Sequence, residues 1–286
     1  MANFTSCAGI IINSTKKIFI DTNMGPAQTS SLIEQEKPDA AIITHYHLDH
    51  SIWTRQITAH TDARIFIPEP EENYLTSLDF VIEHTAQPFG MAEEWRSFVK
   101  NYLGYKPLEN HECYNNTTSF KDIAPEMVIV ETPGHSPSHT SFYFPDEKIL
   151  FSGDMGLDRF GPWYGWKDCS IREIVDSILR LDGMDVNLIL TSHGGIIKKN
   201  FDTSWAKAIS RLLDREKEIR KKLEAGTSRT RIIEHGVFYK HKNKIKEPMR
   251  SFLDMWDTAM YEHHETLLRQ GGLEYFFPHI ASYCSN

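Results

Sequence analysis

Three histidines and one aspartate lie within six residues, in the segment Thr44-His45-Tyr46-His47-Leu48-Asp49-His50. This segment follows Ala40-Ala41-Ile42-Ile43, an apolar run that predicts a buried strand. His45 and His47 alternate along an extended segment, so both rings can point to the same side, while Asp49 and His50 can turn toward a second position. Nitrogen and oxygen donors on a short loop after a strand are typical of a metal site. The spacing therefore predicts metal binding rather than a histidine-rich surface loop.

The motif His45-Tyr46-His47-Leu48-Asp49-His50 resembles the HxHxDH signature of the metallo-β-lactamase superfamily. Four other stretches resemble further motifs of that family and follow in the family's order along the chain. They are Ile18-Phe19-Ile20-Asp21-Thr22-Asn23, Thr132-Pro133-Gly134-His135, Phe151-Ser152-Gly153-Asp154 and Thr191-Ser192-His193-Gly194. The resemblance covers roughly residues 5 to 200. Any one of these motifs would be weak evidence, but together and in order they are specific.

The resemblance implies a centre that holds two divalent metal ions. The first ion would be bound by His45, His47 and His135, and the second by Asp49, His50 and His193, with Asp154 bridging both. Seven nitrogen and oxygen donors without a thiolate suit Zn²⁺, Fe or Mn, and we favour zinc. Asp49 and Asp154 are the expected catalytic residues, because they would orient a hydroxide shared by the two ions and carry its proton.

Alternating strand and helix patterns predict an α/β protein, and the resemblance implies a four-layer αββα sandwich over residues 1–201. Within it we predict a helical insertion at about 69–118, and after it a helical, winged-helix-like extension over 202–286. The predicted strands lie at 7–12, 18–21, 40–44, 64–67, 127–130, 140–144, 148–151 and 188–190. The predicted helices lie at 27–37, 171–182, 205–225 and 249–270, with another that begins near Thr227-Ser228-Arg229-Thr230.

Four other features bear on the predicted centre or on the helical extension. The stretch Phe160-Gly161-Pro162-Trp163-Tyr164-Gly165-Trp166-Lys167 predicts either an apolar wall of the pocket or a loop packed against the helical insertion. His139 is expected to support the ligands or to pack, and Asp21 to hydrogen-bond a ligand histidine or the loop backbone. His263 and His264 occupy adjacent helical positions, so we expect an exposed pair.

Charge, hydropathy and cysteine spacing argue against several classes of protein. The formal net charge is −8, so the chain has no overall positive field that would attract nucleic acid, which disfavours a nuclease. No apolar run reaches the roughly 18 residues of a membrane span, and Met1–Ser6 does not resemble a secretory signal. The four cysteines are scattered without CxxC spacing, so we expect free thiols in the cytoplasm.

The resemblance implies a dinuclear metal-dependent hydrolase, and the acidic net charge favours a small-molecule substrate. We favour a carboxylic thioester, such as an acyl-CoA or glutathione thioester, and therefore a glyoxalase II-like thioesterase. A lactone hydrolase, or a phosphodiesterase or ribonuclease, would use the same site. A flavodiiron oxidase is disfavoured because that family usually has Glu at the position of His47. For the helical extension, packing or homodimerisation is preferred over nucleic-acid binding.

Overall fold

Two five-stranded sheets form the centre of the protein. The structure is a computed structural model, and it describes residues 6–285. The first sheet has the order β1-β2-β3-β4-β5, in which β1 and β2 are antiparallel and the other neighbours are parallel. Its strands are β1 (Ile10–Asn13), β2 (Lys17–Ile20), β3 (Ala40–Ile42), β4 (Arg64–Pro68) and β5 (Glu112–Tyr114).

The second sheet has the order β10-β9-β8-β7-β6, in which only β8 and β9 are parallel. Its strands are β6 (Val128–Glu131), β7 (Thr140–Phe144), β8 (Ile149–Phe151), β9 (Leu188–Thr191) and β10 (Gly195–Ile197). Because β6 and β8 are both antiparallel to β7, the strands β6, β8 and β9 all end at the same edge of the sheet.

Helices cover the outer faces of both sheets. They are α1 (Pro26–Glu36), α2 (Leu48–Ser51), α3 (Arg55–His60), α4 (Glu72–Thr76), α5 (Leu78–His84), α6 (Ala92–Ser97), α7 (Ile171–Asp182), α8 (Phe201–Glu224), α9 (Arg229–His235), α10 (Met249–Arg269), α11 (Leu273–Phe276) and α12 (Ile280–Tyr283). Short 3-10 turns lie at Glu69–Glu71, Gln87–Phe89 and Lys242–Lys244, and a π-helical turn lies at Phe98–Tyr102.

Successive apolar side chains along a strand point alternately into two different layers of the core. Ile18 and Ile20 of β2 belong to a cluster that also contains Phe142 and Phe151 of the second sheet, so this cluster lies between the sheets. Phe19, between the two isoleucines, belongs instead to the cluster shared with the helices. Successive side chains of a strand point to opposite faces, and here both faces are covered. The predicted αββα architecture is therefore confirmed.

The strand predictions are confirmed for eight of the ten strands, but β5 and β10 were missed. The predicted helical insertion is helical up to Tyr102, and its later part contributes β5, which pairs in parallel with β4. A helical assignment for all of 69–118 is therefore wrong. Both missed strands, Glu-Cys-Tyr and Gly-Ile-Ile, have only two consecutive apolar residues, whereas β3 and β8, which also have three residues, are apolar throughout and were recognised.

The C-terminal extension consists of helices, turns and loops, and residues 198–285 contain no strand. The β-wing of a winged helix is therefore not found in this described range, while the domain boundary after residue 201 stays a prediction. None of the described helices is long and apolar enough to cross a membrane. All four cysteines are free thiols, as expected. The prediction about a secretory signal concerns residues 1–6, of which 1–5 lie outside the described residues.

Candidate metal centre

The seven predicted ligands all follow strands at one edge of the two sheets. His45, His47, Asp49 and His50 follow β3, whose three residues are completely or almost completely buried. His135 follows β6, Asp154 follows β8 and His193 follows β9. Each ligand therefore lies within eight residues of the end of a strand that is hydrogen-bonded into its sheet. This placement holds short loops in position with little freedom of the backbone.

The first group contains three buried histidines. His135 Nε2 lies 3.2 Å from His45 Nε2 and 2.8 Å from His47 Nδ1. Burial lowers the pKa of all three imidazoles, well below the ordinary value for His45 and His47. Each ring is therefore neutral at physiological pH, which is the protonation state that a metal-binding imidazole requires.

The second group combines two carboxylates with two histidines. Asp154 Oδ2 lies 3.3 Å from His50 Nε2 and 3.4 Å from His193 Nε2. Asp49 Oδ2 lies 3.1 Å from His193 Nε2. Asp154 Oδ2 also lies 3.5 Å from His135 Nε2, so one carboxylate oxygen contacts both groups. This is the position that a bridging ligand needs.

Protonation in the second group differs from that in the first. Asp154 raises the pKa of His193 to about 11, against the opposing effect of burial. Burial also opposes the charged form of His50, but Cys7 and the nearby carboxylates hold its pKa well above its ordinary value. Burial acts to raise the pKa of the Asp154 carboxyl, but the neighbouring His193 and His50 keep that pKa well below its usual range. The two carboxylates are thus balanced by protons on two imidazoles, a charge of two that a divalent cation would also supply.

The donor atoms of the two groups fit two divalent cations. Within each group the ligand atoms lie within 4.8 Å of one another. His50 Nε2, which faces Asp49 Oδ2 and Asp154 Oδ2, is buried and makes no hydrogen bond in the described part of the chain. Buried polar atoms without a partner are unfavourable, and coordination to a metal satisfies such atoms. Imidazole nitrogen and carboxylate oxygen suit Zn²⁺, Fe and Mn.

Asp21 supports the ligand loop, as the sequence predicted. Its Oδ2 lies 2.9 Å from His50 Nδ1, and its Oδ1 accepts a hydrogen bond from Thr44 N at 2.9 Å. The Thr44 hydroxyl donates to Asp21 Oδ2 and lies 2.9 Å from His45 Nδ1. Two ligand histidines are thus oriented through the ring nitrogens that face away from the other ligands.

His139 lies in neither ligand group, in agreement with its expected supporting role. Its Nε2 accepts a hydrogen bond from the Asp154 backbone N–H at 3.0 Å, and its Nδ1 lies 2.8 Å from Thr132 Oγ1. Burial lowers the pKa of His139 to about 3, so the ring is neutral and can accept this bond. His139 therefore fixes the backbone of the residue that touches both groups.

Glu71 is a supporting residue that sequence reasoning missed. Its fully buried carboxylate accepts hydrogen bonds from Tyr46 N at 2.6 Å, Ser136 Oγ at 2.6 Å and Ser138 N at 2.9 Å. Tyr46 lies between two ligand histidines, and Ser136 follows His135. Glu71 thus joins the two loops that supply the first group. In the sequence it belongs to the acidic run 69–72, which is typical of an exposed turn and gives no sign of burial.

The aromatic stretch reaches the centre through Trp163. The Trp163 carbonyl oxygen accepts a hydrogen bond from His135 Nδ1 at 2.9 Å, and its ring centroid lies 5.3 Å from that of His47. The indole Nε1 donates to the Tyr239 hydroxyl at 2.7 Å. Tyr239, from the C-terminal extension, is a second residue that the sequence did not reveal, because no local motif marks it.

The expectation of an exposed histidine pair on α10 is wrong. His264 is fully buried, and its Nε2 accepts a hydrogen bond from the Tyr164 hydroxyl at 2.8 Å. His263 Nε2 donates to the carbonyl oxygen of Trp166 at 2.7 Å. Adjacent helical residues do point in different directions, but α10 packs against the aromatic stretch, so that both imidazoles find a partner there. The aromatic stretch therefore packs against the extension as well as bordering the centre.

A sequence model of the metallo-beta-lactamase superfamily matches residues 4–193. The match covers more than half of the chain and ends at the last of the seven clustered residues. This chain belongs to the metallo-β-lactamase superfamily. The superfamily's hydrolases use divalent metal ions, and two candidate metal-binding groups are present in this member.

Two curated relatives are each 24% identical to this metallo-β-lactamase superfamily member. One is the "Probable metallo-hydrolase YflN" of Bacillus subtilis, aligned over 74% of this chain and 80% of that protein. The other is the "Thioesterase pkgB" of Emericella nidulans, aligned over 73% of this chain but only 52% of that protein. These relatives support hydrolase activity for the present member of the superfamily.

Among solved structures, the metallo-beta-lactamase family protein TTHA1429 from Thermus thermophilus has a TM-score of 0.64 at 18% identity. The alignment covers 93% of this chain and 89% of that chain. Because 93% of this chain is aligned, the aligned region must contain most of the C-terminal extension. The metallo-β-lactamase fold with a helical extension is therefore shared by another protein.

Proposed function

We propose that the protein is a dinuclear metal-dependent thioester hydrolase. His45, His47 and His135 would hold one divalent cation; Asp49, His50 and His193 would hold the other, with Asp154 contributing to both. The observation that carries this proposal is the position of Asp154 Oδ2, which lies 3.3 to 3.5 Å from histidines of both groups. Zinc is our choice of metal, with iron or manganese as alternatives that the donor set accepts equally well.

When bound, the cations would supply a water molecule of lowered pKa and a Lewis acid for the substrate carbonyl. The residues of this chain set the conditions for that chemistry. Burial keeps the three histidines of the first group neutral, so their lone pairs are available without loss of a proton. Asp21, Glu71 and the Trp163 carbonyl fix the orientation of the ligand loops, so little rearrangement is needed on binding.

Asp49 is the best candidate to transfer a proton. Its side chain is 23% exposed, compared with 11% for Asp154, so it lies on the side of the centre open to solvent and substrate. During hydrolysis, water oxygen forms a bond with the carbonyl carbon and the carbon–sulfur bond breaks. We assign to Asp49 the proton released by the attacking water, which it then returns to the departing sulfur.

The surroundings favour a substrate with an apolar acyl group. The Trp163 ring borders the first histidine group, and Tyr239 places a hydroxyl beside it. Burial raises the pKa of this phenol well above its ordinary value, with a contribution from Asp49, so the hydroxyl stays protonated. It accepts from Trp163 Nε1, which leaves its own proton available for a substrate oxygen. We assign Tyr239 to substrate positioning.

A thioester is favoured over other carbonyl compounds by the relative from Emericella nidulans, whose name describes a thioesterase. The net charge of −8 argues for a small-molecule substrate rather than a polynucleotide. The proposal is therefore a glyoxalase II-like thioesterase that acts on an acyl-CoA or glutathione-type thioester. Homodimerisation through the C-terminal extension stays part of this proposal.

The test is a hydrolysis panel on zinc-loaded protein with an acyl-CoA, a glutathione thioester, a lactone and an activated phosphodiester. We expect thioester turnover that falls on the order of 100-fold or more in Asp154→Asn, because a charge that contacts both groups is lost. Asp176→Asn, an exposed substitution on α7, is the matched control and should retain full turnover. Turnover of the lactone or phosphodiester alone would refute the thioester assignment, and full rate and metal content in Asp154→Asn would refute the two-ion centre.

A further inference from the structure

A second type of metal-ligating cluster lies outside the centre, between β5 and α4. His111 and Cys113 are two residues apart at the start of the edge strand, so their side chains point to the same face. Glu72, the first residue of α4, faces them. One donor atom from each of the three residues lies within 4.8 Å of the other two, and none belongs to the seven-residue centre.

The carboxylate of Glu72 connects the other two donors. His111 Nε2 lies 2.8 Å from Glu72 Oε1, and the imidazole is largely buried, with 13% of the side chain exposed. Burial raises the pKa of the Cys113 thiol, and the charges of Glu72 and Glu69 raise it further. A thiol and an imidazole N–H thus point toward one carboxylate, in a place where the local field is negative and attracts a cation.

A simple contact between Glu72 and His111 would account for the positions of these two side chains but not for that of Cys113. The thiol adds a soft donor to the pair, and a set of one thiolate, one imidazole and one carboxylate selects zinc over magnesium or calcium. Deprotonation of the thiol on binding would give two negative charges, which one divalent cation balances. Three protein ligands leave a fourth tetrahedral position for water.

We propose that Glu72, His111 and Cys113 form a third divalent-cation site, with zinc as its ion. The site joins the edge strand β5 to the first turn of α4. It therefore fixes the segment that directly follows Glu71, the buried residue that joins the ligand loops of the centre. The site is structural or regulatory in position and independent of the thioester chemistry proposed above.

Cobalt titration of the metal-free protein tests this site. The seven-residue centre contains only nitrogen and oxygen donors, so a thiolate-to-cobalt charge-transfer band in the near ultraviolet would report on a cysteine alone. We expect three Co²⁺ per chain and a thiolate band in the wild type. Cys113→Ser should lose the band and bind two Co²⁺, while its zinc-supported hydrolysis stays unchanged. Cys113 is exposed, so serine at this position is compatible with folding.

Two other thiols require control variants because both lie near the centre. Cys7 Sγ donates to the Asp21 carbonyl oxygen at 3.0 Å, and Cys169 Sγ donates to that of His135 at 3.1 Å. Cys7→Ser and Cys169→Ser should keep the band. A band that survives in Cys113→Ser would overturn the proposal, as would the absence of any band in the wild type. Binding of the third ion only at millimolar cobalt would identify an adventitious ion only, and would also overturn it.

Discussion

His264 should make the contact between the C-terminal extension and the aromatic stretch sensitive to acid. The imidazole is fully buried and accepts a hydrogen bond from the Tyr164 hydroxyl. Burial lowers its pKa to about 3, and the neighbouring Arg215 and His263 act in the same direction. Protonation would therefore place an unpaired charge in the core and remove the acceptor of this bond.

The sign and size of the effect follow from linkage. The folded-state pKa lies below the unfolded value of about 6.5, so His264 contributes stability that is present above pH 6.5 and is lost as the pH falls toward 3. Between pH 7 and pH 5 the loss is about 2 kcal/mol, and over the whole interval it approaches roughly 5 kcal/mol. For a protein of marginal stability, this is a large fraction of the free energy of unfolding.

The assay is urea unfolding at pH 7, 6 and 5 in the presence of chelator, so that loss of metal does not contribute. Other buried histidines also destabilise the protein in acid, and the informative quantity is the difference between wild type and His264→Gln. Glutamine keeps an acceptor for the Tyr164 hydroxyl but does not titrate. We expect the variant to lose about 2 kcal/mol less than the wild type between pH 7 and pH 5.

The matched control is His235→Gln, which changes an exposed histidine of α9 in the same extension. It should reproduce the pH dependence of the wild type. If the unfolding free energies of wild type and His264→Gln fell in parallel between pH 7 and pH 5, the argument from the buried imidazole would be refuted.

Three further predictions concern the centre itself. Glu71→Ala leaves the buried Tyr46 N–H and the half-buried Ser138 N–H without an acceptor, so it should weaken metal affinity by about 10- to 100-fold in chelator competition. The exposed Glu83→Ala should not, and equal affinities of the two variants would contradict the role of Glu71. Tyr239→Phe removes the acceptor of Trp163 Nε1 and a substrate donor, so thioester kcat/KM should fall while metal content stays the same; an unchanged value would remove Tyr239 from substrate positioning. Chelation should lower the melting temperature reversibly. The loss of stability should be about 4 kcal/mol if free zinc exceeds its Kd about 1,000-fold. An unchanged melting temperature would contradict metal binding to the folded state.

Local sequence patterns were enough to predict the scaffold and the seven side chains that the structure brings together as candidate ligands. Each predicted ligand lies in a short loop directly after a predicted strand, and each apolar run is long enough for that strand to be recognised in the sequence. Ser170 caps α7 through Glu173 N, and Ile171, Ile174, Val175 and Ile178 are buried on one face, so the predicted helix matches the observed one from end to end. Such features depend on neighbours within a few residues, and the sequence displays them directly.

Features that depend on distant partners could not be predicted in this way. The strand β5 exists because Glu112–Tyr114 can pair with β4, and its sequence Glu-Cys-Tyr lacks the continuous apolar run that marked the other short strands. The expected exposed pair at His263 and His264 was wrong because the face of α10 that they occupy is covered by a loop about 100 residues earlier in the chain.

The sequence by itself determined which side chains could bind metal, because the motifs place imidazoles and carboxylates in short loops directly after strands. Only the tertiary structure decided that His47 and His135, 88 residues apart, lie 2.8 Å from each other, and that one oxygen of Asp154 contacts both groups. It alone showed that Glu71 is buried and that Tyr239 hydrogen-bonds Trp163, the aromatic residue that borders the centre. The physical reason is that burial and convergence are properties of packing between sheets, loops and helices, whereas a motif describes only the few residues that are adjacent in the chain.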